Sequence, residues 1–271
     1  MPRADDAPPN SLNIALFATC PVDLFRPQVG FATVKLLQQA GCQVSVPEQS
    51  CCGQIAYNNG LPNEARELAW RVVRTFADYD YVVVPSGSCG GMMHRHYPEL
   101  FKNDSRLPAV QHFCEKVFEL TVFLQDMLEW QPPTSNCDLG NDRVTYHDSC
   151  AGLRELGIRQ QPRALLKTCN KVDVTEMRDT EVCCGFGGSF CMKFPDIANR
   201  MAEDKLANAD ATAADYLVGG DVSCLLHLAG TWLRQNREDG ARPLEIRHVA
   251  ELLAGELDSP PINATDSSQS K

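Results

Sequence analysis

YVVVPSGSC, residues 81–89, is a continuous apolar run that ends in a glycine-bearing turn and a cysteine. YLVGGDVSC, residues 216–224, repeats that design in the second half of the chain. An uninterrupted apolar strand reads as one buried on both faces, the situation of a parallel sheet covered by helices on each side. The segments around it agree. Pro62 opens a stretch in which Ala65, Leu68, Ala69, Val72, Val73 and Phe76 follow the i, i+3, i+4, i+7 spacing of an amphipathic helix. Residues 27–40 show helical spacing at Phe31, Val34 and Leu37 and stop at Gly41. LNIALFATC (12–20) and CQVSVPEQS (42–50) read as further strands.

The second half repeats this order. RVTYHDSC (143–150) precedes a helix entered near Pro162, then DVTEMRDTEVCCG (173–185), then a long helix from Pro195 expected to carry Ile197, Met201 and Leu206 toward a core. PAVQHFCEKVFELTVFLQDML (108–128) and ARPLEIRHVAELLAGEL (241–257) each end a half with a short strand and a helix. The expected fold is α/β: two tandem repeated units, each a small parallel sheet flanked by helices. The units are assigned to residues 12–130 and 143–257, joined by the polar, proline-bearing linker 131–142. The first eleven residues and the Ser-, Pro- and Asp-rich tail 258–271 are expected to be disordered.

The cysteines repeat with the strands. Cys20, the pair Cys51–Cys52 and Cys89 form the pattern C-x30-CC-x36-C, and Cys150, Cys183–Cys184 and Cys224 form C-x32-CC-x39-C. Corresponding cysteines are offset by 130, 132 and 135 residues, a near-constant shift that points to a duplicated site. All of them fall at or just after the carboxyl ends of expected parallel strands, the edge at which open α/β sheets bind ligands. The chain has 13 cysteines, an odd number, and an acidic, proline-bearing start without the features of a secretory signal. A reducing, cytoplasmic setting is therefore expected, in which clustered thiols ligate metal rather than form disulfides. Adjacent cysteines bridge to one another only with strain, whereas a following glycine lets both point at one polynuclear centre.

Composition narrows the function. A formal net charge of −10 disfavours binding to a phosphate backbone, and no apolar stretch reaches the roughly 20 residues that span a bilayer. The chain lacks a G-x-G-x-x-G fingerprint after a strand, and the run GFGGS (185–189) lacks the Lys-Ser/Thr of a nucleotide P-loop. No catalytic residue is assigned.

CCGQIAYNNG (51–60), PSGSCGGMMHRHYPELF (85–101), YHDSCAGLRELGI (146–158) and EVCCGFGGSF (181–190) resemble the cysteine-rich CCG-domain proteins over roughly residues 12–257. Within them the resemblance is strongest to iron–sulfur subunits of L-lactate-oxidising systems. It is more distant to the heterodisulfide reductase subunit that carries the same duplicated domain and to the iron–sulfur subunit of glycolate oxidase. The resemblance implies one iron–sulfur cluster per unit, held by Cys20, Cys51, Cys52 and Cys89 and by Cys150, Cys183, Cys184 and Cys224. It also implies electron transfer during oxidation of L-lactate to pyruvate, with partner subunits that include a ferredoxin-like iron–sulfur protein. The fullest family pattern ends each unit in C-x-x-C. Here Ser86 and Asp221 stand where the fifth cysteines would be, and four thiolates suffice for a [4Fe–4S] centre. Two other readings are a disulfide or thiol reductase subunit, and a zinc-stabilised interaction protein, although the short C-x2-4-C knuckles usual for structural zinc are absent.

Among the remaining polar residues, His147 and Asp148 either orient a ligand or, with Ser149, cap a helix. His94, His96 and His227 read as ordinary solvated or half-buried histidines. Cys42, Cys114, Cys137 and Cys169 read as small apolar residues, with Cys191 a reserve ligand. Gly87, Gly90, Gly91, Gly187 and Gly188 read as turn glycines or as donors of N–H to sulfur.

Overall fold

Residues 12–134, 136–170, 172–235 and 244–264 are described by the computed structural model. The first eleven residues and residues 265–271, both expected to be disordered, lie outside them. The first half runs through β1 (Asn13–Leu16), α1 (Cys20–Phe25), α2 (Pro27–Gln39), β2 (Gln43–Ser45), α3 (Gln54–Asn58) and α4 (Pro62–Thr75). It continues with β3 (Tyr81–Val84), α5 (Gly87–Gly91), a π-helical turn (Met92–His96), α6 (Tyr97–Leu100), α7 (Leu107–Glu115) and β4 (Val117–Glu119). Helix α8 (Leu120–Val122) runs into a second π turn, Phe123–Met127, and closes the half.

The second half has β5 (Arg143–His147), α9 (Cys150–Glu155), α10 (Gln160–Thr168), β6 (Asp173–Val174), α11 (Phe190–Lys193) and α12 (Pro195–Asp210). It ends with β7 (Tyr216–Gly219), α13 (Val222–Gln235), β8 (Glu245–His248) and α14 (Val249–Ala254). Each half builds a four-stranded, wholly parallel sheet, in the order β2-β1-β3-β4 and β6-β5-β7-β8. The α/β duplication is thus carried by identical topology. In both sheets the strand order reverses beside the central pair, β1/β3 or β5/β7, which creates the crevice where such sheets hold ligands.

The two sheets share a core. One face of each packs on its own helices: Ala15, Phe17, Ala65, Ala69 and Val72 in the first half, and Ala202, Leu206, Leu217 and Leu228 in the second. The other faces meet in a central cluster that joins Ile14, Val29 and Leu36 to Val144, Leu165 and Leu253. The closing helices cross over to build it, α14 packing on α2 and α8 on α10. Arg26 ties this exchange with charge, donating from Nε and Nη2 to Glu251 Oε1 at 3.0 and 2.6 Å. The linker also contributes, since Cys137 and Leu139 are buried in the same cluster.

Several local expectations are corrected. Phe31 and Ile197 point to solvent, 73% and 56% exposed, and the buried faces are instead Val29, Ala32, Leu36 and Leu37 on α2 and Ala198, Ala202, Leu206 and Ala209 on α12. Strands β2 and β6 are only three and two residues long, so the cysteine pairs arrive on loops. The first part of the expected disordered tail is docked. Ile262 N–H donates to Ile246 O at 2.9 Å, and Asn263 receives Ile246 N–H at 2.9 Å and donates to Leu244 O at 2.6 Å. These bonds occupy the free side of edge strand β8, which otherwise presents unpaired backbone groups.

Glu119 ends β4 and caps α8, its Oε2 accepting from Thr121 N–H at 2.8 Å and Thr121 Oγ1 at 2.5 Å. Burial outweighs these bonds and raises its pKa from 4.5 to about 7. Between those values the folded chain keeps a proton that the unfolded chain releases, so this group's contribution falls as pH rises through the window, by on the order of 3 kcal/mol. Urea denaturation at pH 5 and pH 8 is expected to show a smaller stability loss for Glu119→Gln than for the wild type.

Candidate metal centres

In the first half the four repeated thiols converge at the carboxyl edge of the sheet. Cys20 opens α1 beyond β1, Cys51 and Cys52 follow the loop after β2, and Cys89 lies in α5 beyond β3. Cys52 Sγ stands 3.3 Å from Cys89 Sγ, and Gly53 N–H donates to Cys51 Sγ at 3.4 Å. The Cys20 and Cys52 thiols flank Cys51 and hold it well below the ordinary thiol value, while sharing with Cys51 pushes Cys20 and Cys52 up. The set is therefore predisposed to carry negative charge at its middle.

The second half repeats the geometry. Cys183 Sγ lies 3.8 Å from Cys150 Sγ, and Gly185 N–H donates to Cys183 Sγ at 3.4 Å. Cys150 and Cys184 hold Cys183 low, as their counterparts hold Cys51. One donor atom from each of Cys184, Cys224 and His147 lies within 4.8 Å of the others. Every cysteine is a free thiol.

The glycine after each pair is sterically required. Gly53 and Gly185 have φ of 86° and 91°, in the left-handed region that side chains disfavour. A Cβ would lie 3.1 Å from the Ala65 carbonyl oxygen at Gly53, and only 2.5 Å from the Ala198 carbonyl oxygen at Gly185. Close approach of α4 in the first half and α12 in the second thus crowds the turn that follows each pair. Gly185→Ala is expected to lose more stability than Gly53→Ala, with about 1–2 kcal/mol from the left-handed backbone alone; urea melts of both variants measure it.

The positions that lack the fifth cysteine are engaged with each other. Ser86 Oγ donates to Asp221 Oδ2 at 2.9 Å, and Ser88 N–H and Ser223 N–H also donate to that carboxylate, at 2.9 and 3.1 Å. They form an antiparallel bridge between the two halves. Glycines in α5 serve the same junction, for a Cβ on Gly87 would meet Ser149 Oγ at 2.5 Å and Gly152 at 2.8 Å. The N–H groups that reach cysteine sulfur are those of Gly53 and Gly185, not those of the other glycines considered from sequence.

Ser149 caps α9, accepting Gly152 N–H at 3.2 Å. Asp148 does not cap; it forms a buried two-point ion pair with Arg163 at 2.8 and 2.8 Å. His147 is 1% exposed, neither ring nitrogen has a partner, and burial, with Lys205 adding, lowers its pKa to about 4. His94 contacts the Val117 carbonyl, His96 stacks on Tyr57, and His227 contacts the Ala198 carbonyl. Cys191 donates to the Gly188 carbonyl and Cys114 to the Met93 carbonyl. Cys137 and Cys169 share a buried contact away from both sets.

Both sets border open space. A cavity of about 350 Å³ beside the first is lined by Cys20, Cys51, Leu24, Val46 and Gln49. One of about 160 Å³ beside the second is lined by Cys150, Cys183, Cys184 and Cys224 together with Asn58 and Ser88 of the first half. Four convergent sulfurs, backbone donors to sulfur and adjoining volume suit a polynuclear thiolate-bound centre in each half. Among the described residues no helix is long and apolar enough to cross a membrane.

Comparison with known proteins places the chain among cysteine-rich relatives. The chain is 40% identical over 244 residues to lactate utilization protein A of Geobacillus kaustophilus (strain HTA426), covering 89% of this chain and 98% of that protein. It is 36% identical over 248 residues to lactate utilization protein A 2 of Bacillus cereus (strain AH820), covering 90% and 98%. A solved hypothetical protein from Helicobacter pylori has a similar fold, with a TM-score of 0.65 at 10% identity over 95% of this chain; the chain spans 53% of its length. The CCG cysteine-rich domain matches twice, over residues 14–94 and 144–229. Those two segments contain both cysteine sets, and the chain belongs to the CCG cysteine-rich domain family.

Proposed function

We propose that this chain is an iron–sulfur electron-transfer subunit of a system that oxidises L-lactate to pyruvate. The observation that carries the reading is the convergence, in each half, of four thiols at the switch point of a parallel sheet. In this reading Cys20, Cys51, Cys52 and Cys89 ligate one cluster, and Cys150, Cys183, Cys184 and Cys224 a second, each of the [4Fe–4S] class, in tandem units of residues 12–130 and 143–257. Such clusters, when bound, supply one-electron transfer. Gly53 and Gly185 donate N–H to sulfur and help set the potential, while the glycine turns bring the backbone close. The names of the similar proteins supply the lactate system.

Partners follow from the chemistry. Electrons leave a protein-bound cluster only for another protein or acceptor, and this chain lacks a flavin or nicotinamide fingerprint, so the lactate-oxidising step falls to a partner subunit. A ferredoxin-like iron–sulfur protein of the same cytoplasmic system is the expected companion. Leu24, Phe25, Val46 and Ile55 are exposed within five residues of the first set, and Met192 and Phe194 are exposed after the second pair, which supports docking along the cysteine edge. Deleting the chain is expected to abolish growth on L-lactate and spare growth on pyruvate. Normal lactate growth in a strain with no second lactate dehydrogenase defeats the proposal.

A further inference from the structure

The two halves are not chemically equivalent. In register, Ile14 pairs with Tyr81 as Val144 pairs with Tyr216, and Leu16 with Val83 as Tyr146 with Val218. One residue further along each central strand stand Phe17 and His147. Phe17 is 1% exposed and packs on Phe76 at 5.6 Å between ring centroids, as an apolar residue of the first-half core. His147 occupies the same place in the second half, equally buried, but its two ring nitrogens have no hydrogen-bond partner. A buried polar group without a partner is costly, and in a native site it calls for a ligand.

The surroundings supply one. A nitrogen of His147 and the sulfurs of Cys184 and Cys224 lie within 4.8 Å of one another, close enough for a common metal centre. Asp221, which replaces the fifth cysteine of the family pattern in this half, is occupied by Ser86 Oγ and the N–H groups of Ser88 and Ser223. Its carboxylate is committed to the junction between the halves, so the fifth role passes to a side chain from the strand end. Neutral imidazole is a good ligand for iron beside thiolates.

We infer that His147 is a nitrogen ligand of the second centre, which then has five protein donors where the first has four thiolates. This rests on the metal-cluster reading above. Ligand type is one of the levers that set the potential of an iron–sulfur centre, so an imidazole donor makes the second centre electronically distinct from the first. Phe17 leaves the first centre without such a donor.

The test uses the whole chain, purified anaerobically, with ¹⁵N-labelled histidine and pulsed EPR of the dithionite-reduced form. Strong hyperfine coupling to a directly bound nitrogen is expected, absent from Cys183→Ser and from His147→Phe, which installs the side chain that the first half uses. His147→Phe is expected to keep iron in both halves, shift the midpoint potential of the second centre and leave that of the first unchanged. Weak coupling only, of the size given by a hydrogen-bonded imidazole, or unaltered potentials in a folded His147→Phe, overturns the assignment. His147→Gln provides the comparison if the phenylalanine variant does not fold. Should the chain bind neither iron nor sulfide, the proposed function falls instead, and cobalt(II) reports the ligand directly. A visible spectrum that changes in His147→Phe then supports nitrogen ligation, and an unchanged one overturns it.

Discussion

Changing Cys51, Cys52, Cys183 or Cys184 singly to serine is expected to remove about half of the bound iron and acid-labile sulfide, all of it from the half that carries the substitution. A serine hydroxyl does not replace a thiolate toward a soft polynuclear centre, and each set draws its sulfurs from one half alone. The variants therefore form two classes with complementary spectra. Cys137→Ser is the control: it lies 1% exposed in the shared core beside Cys169, away from both sets. It should keep all the iron while losing about 1–3 kcal/mol of stability, because a more polar hydroxyl is buried in an apolar core with only the Cys169 thiol beside it. Stoichiometric zinc with no sulfide in the wild type contradicts the cluster reading and favours a zinc-stabilised protein.

Arg163→Ala is expected to cost about 3–5 kcal/mol. The guanidinium holds Asp148 at two points, donates to Glu176 at 2.5 and 2.8 Å, and lies 5.2 Å from the centre of the Tyr146 ring. The Asp148 side chain is only 2% exposed, whereas that of Glu176 is 50% exposed. Loss of the arginine thus strands one buried carboxylate and lets the other find water. Asp148 directly precedes Ser149, the cap of α9, and Cys150, so the same substitution should lower iron occupancy in the second half before the first. Denaturant unfolding with and without Asp148→Ala separates the causes. Much of the loss should return in the double variant, since the stranded charge is then gone. Arg163→Lys keeps the charge but not the planar fork, and should fall between the two.

The parallel sheets were legible in the chain because continuous apolar runs such as 81–84 and helical spacing from Pro62 are local consequences of burial. The cysteine sets were legible because duplication leaves a near-constant offset, although the pairs arrive on loops rather than at strand ends because β2 and β6 are so short. Helix faces were less so. Phe31 and Ile197 fit a helical period yet face solvent, because several apolar stripes fit the same segment and only the packed partner selects one. Gly53 and Gly185 were expected to permit the turn, but the carbonyls of Ala65 and Ala198 that forbid a side chain there belong to later helices.

By itself the sequence determined the α/β class, the duplication and the two four-thiol sets, since each is written in spacing along the chain. Only the tertiary structure decided how the halves join. Nothing local states that α14 will pack on α2, or that Arg26 will find Glu251 some 225 residues away. Nor does spacing reveal that Ser86 and Asp221, equivalent positions of the two repeats, will hydrogen-bond to each other. An amphipathic stripe or a lone carboxyl states that a partner is needed, and three-dimensional packing chooses which. The same holds for His147, a residue like any other before a cysteine in the chain, whose unpartnered nitrogens beside Cys184 and Cys224 exist only once a strand end, a loop and a helix start have been brought to one crevice.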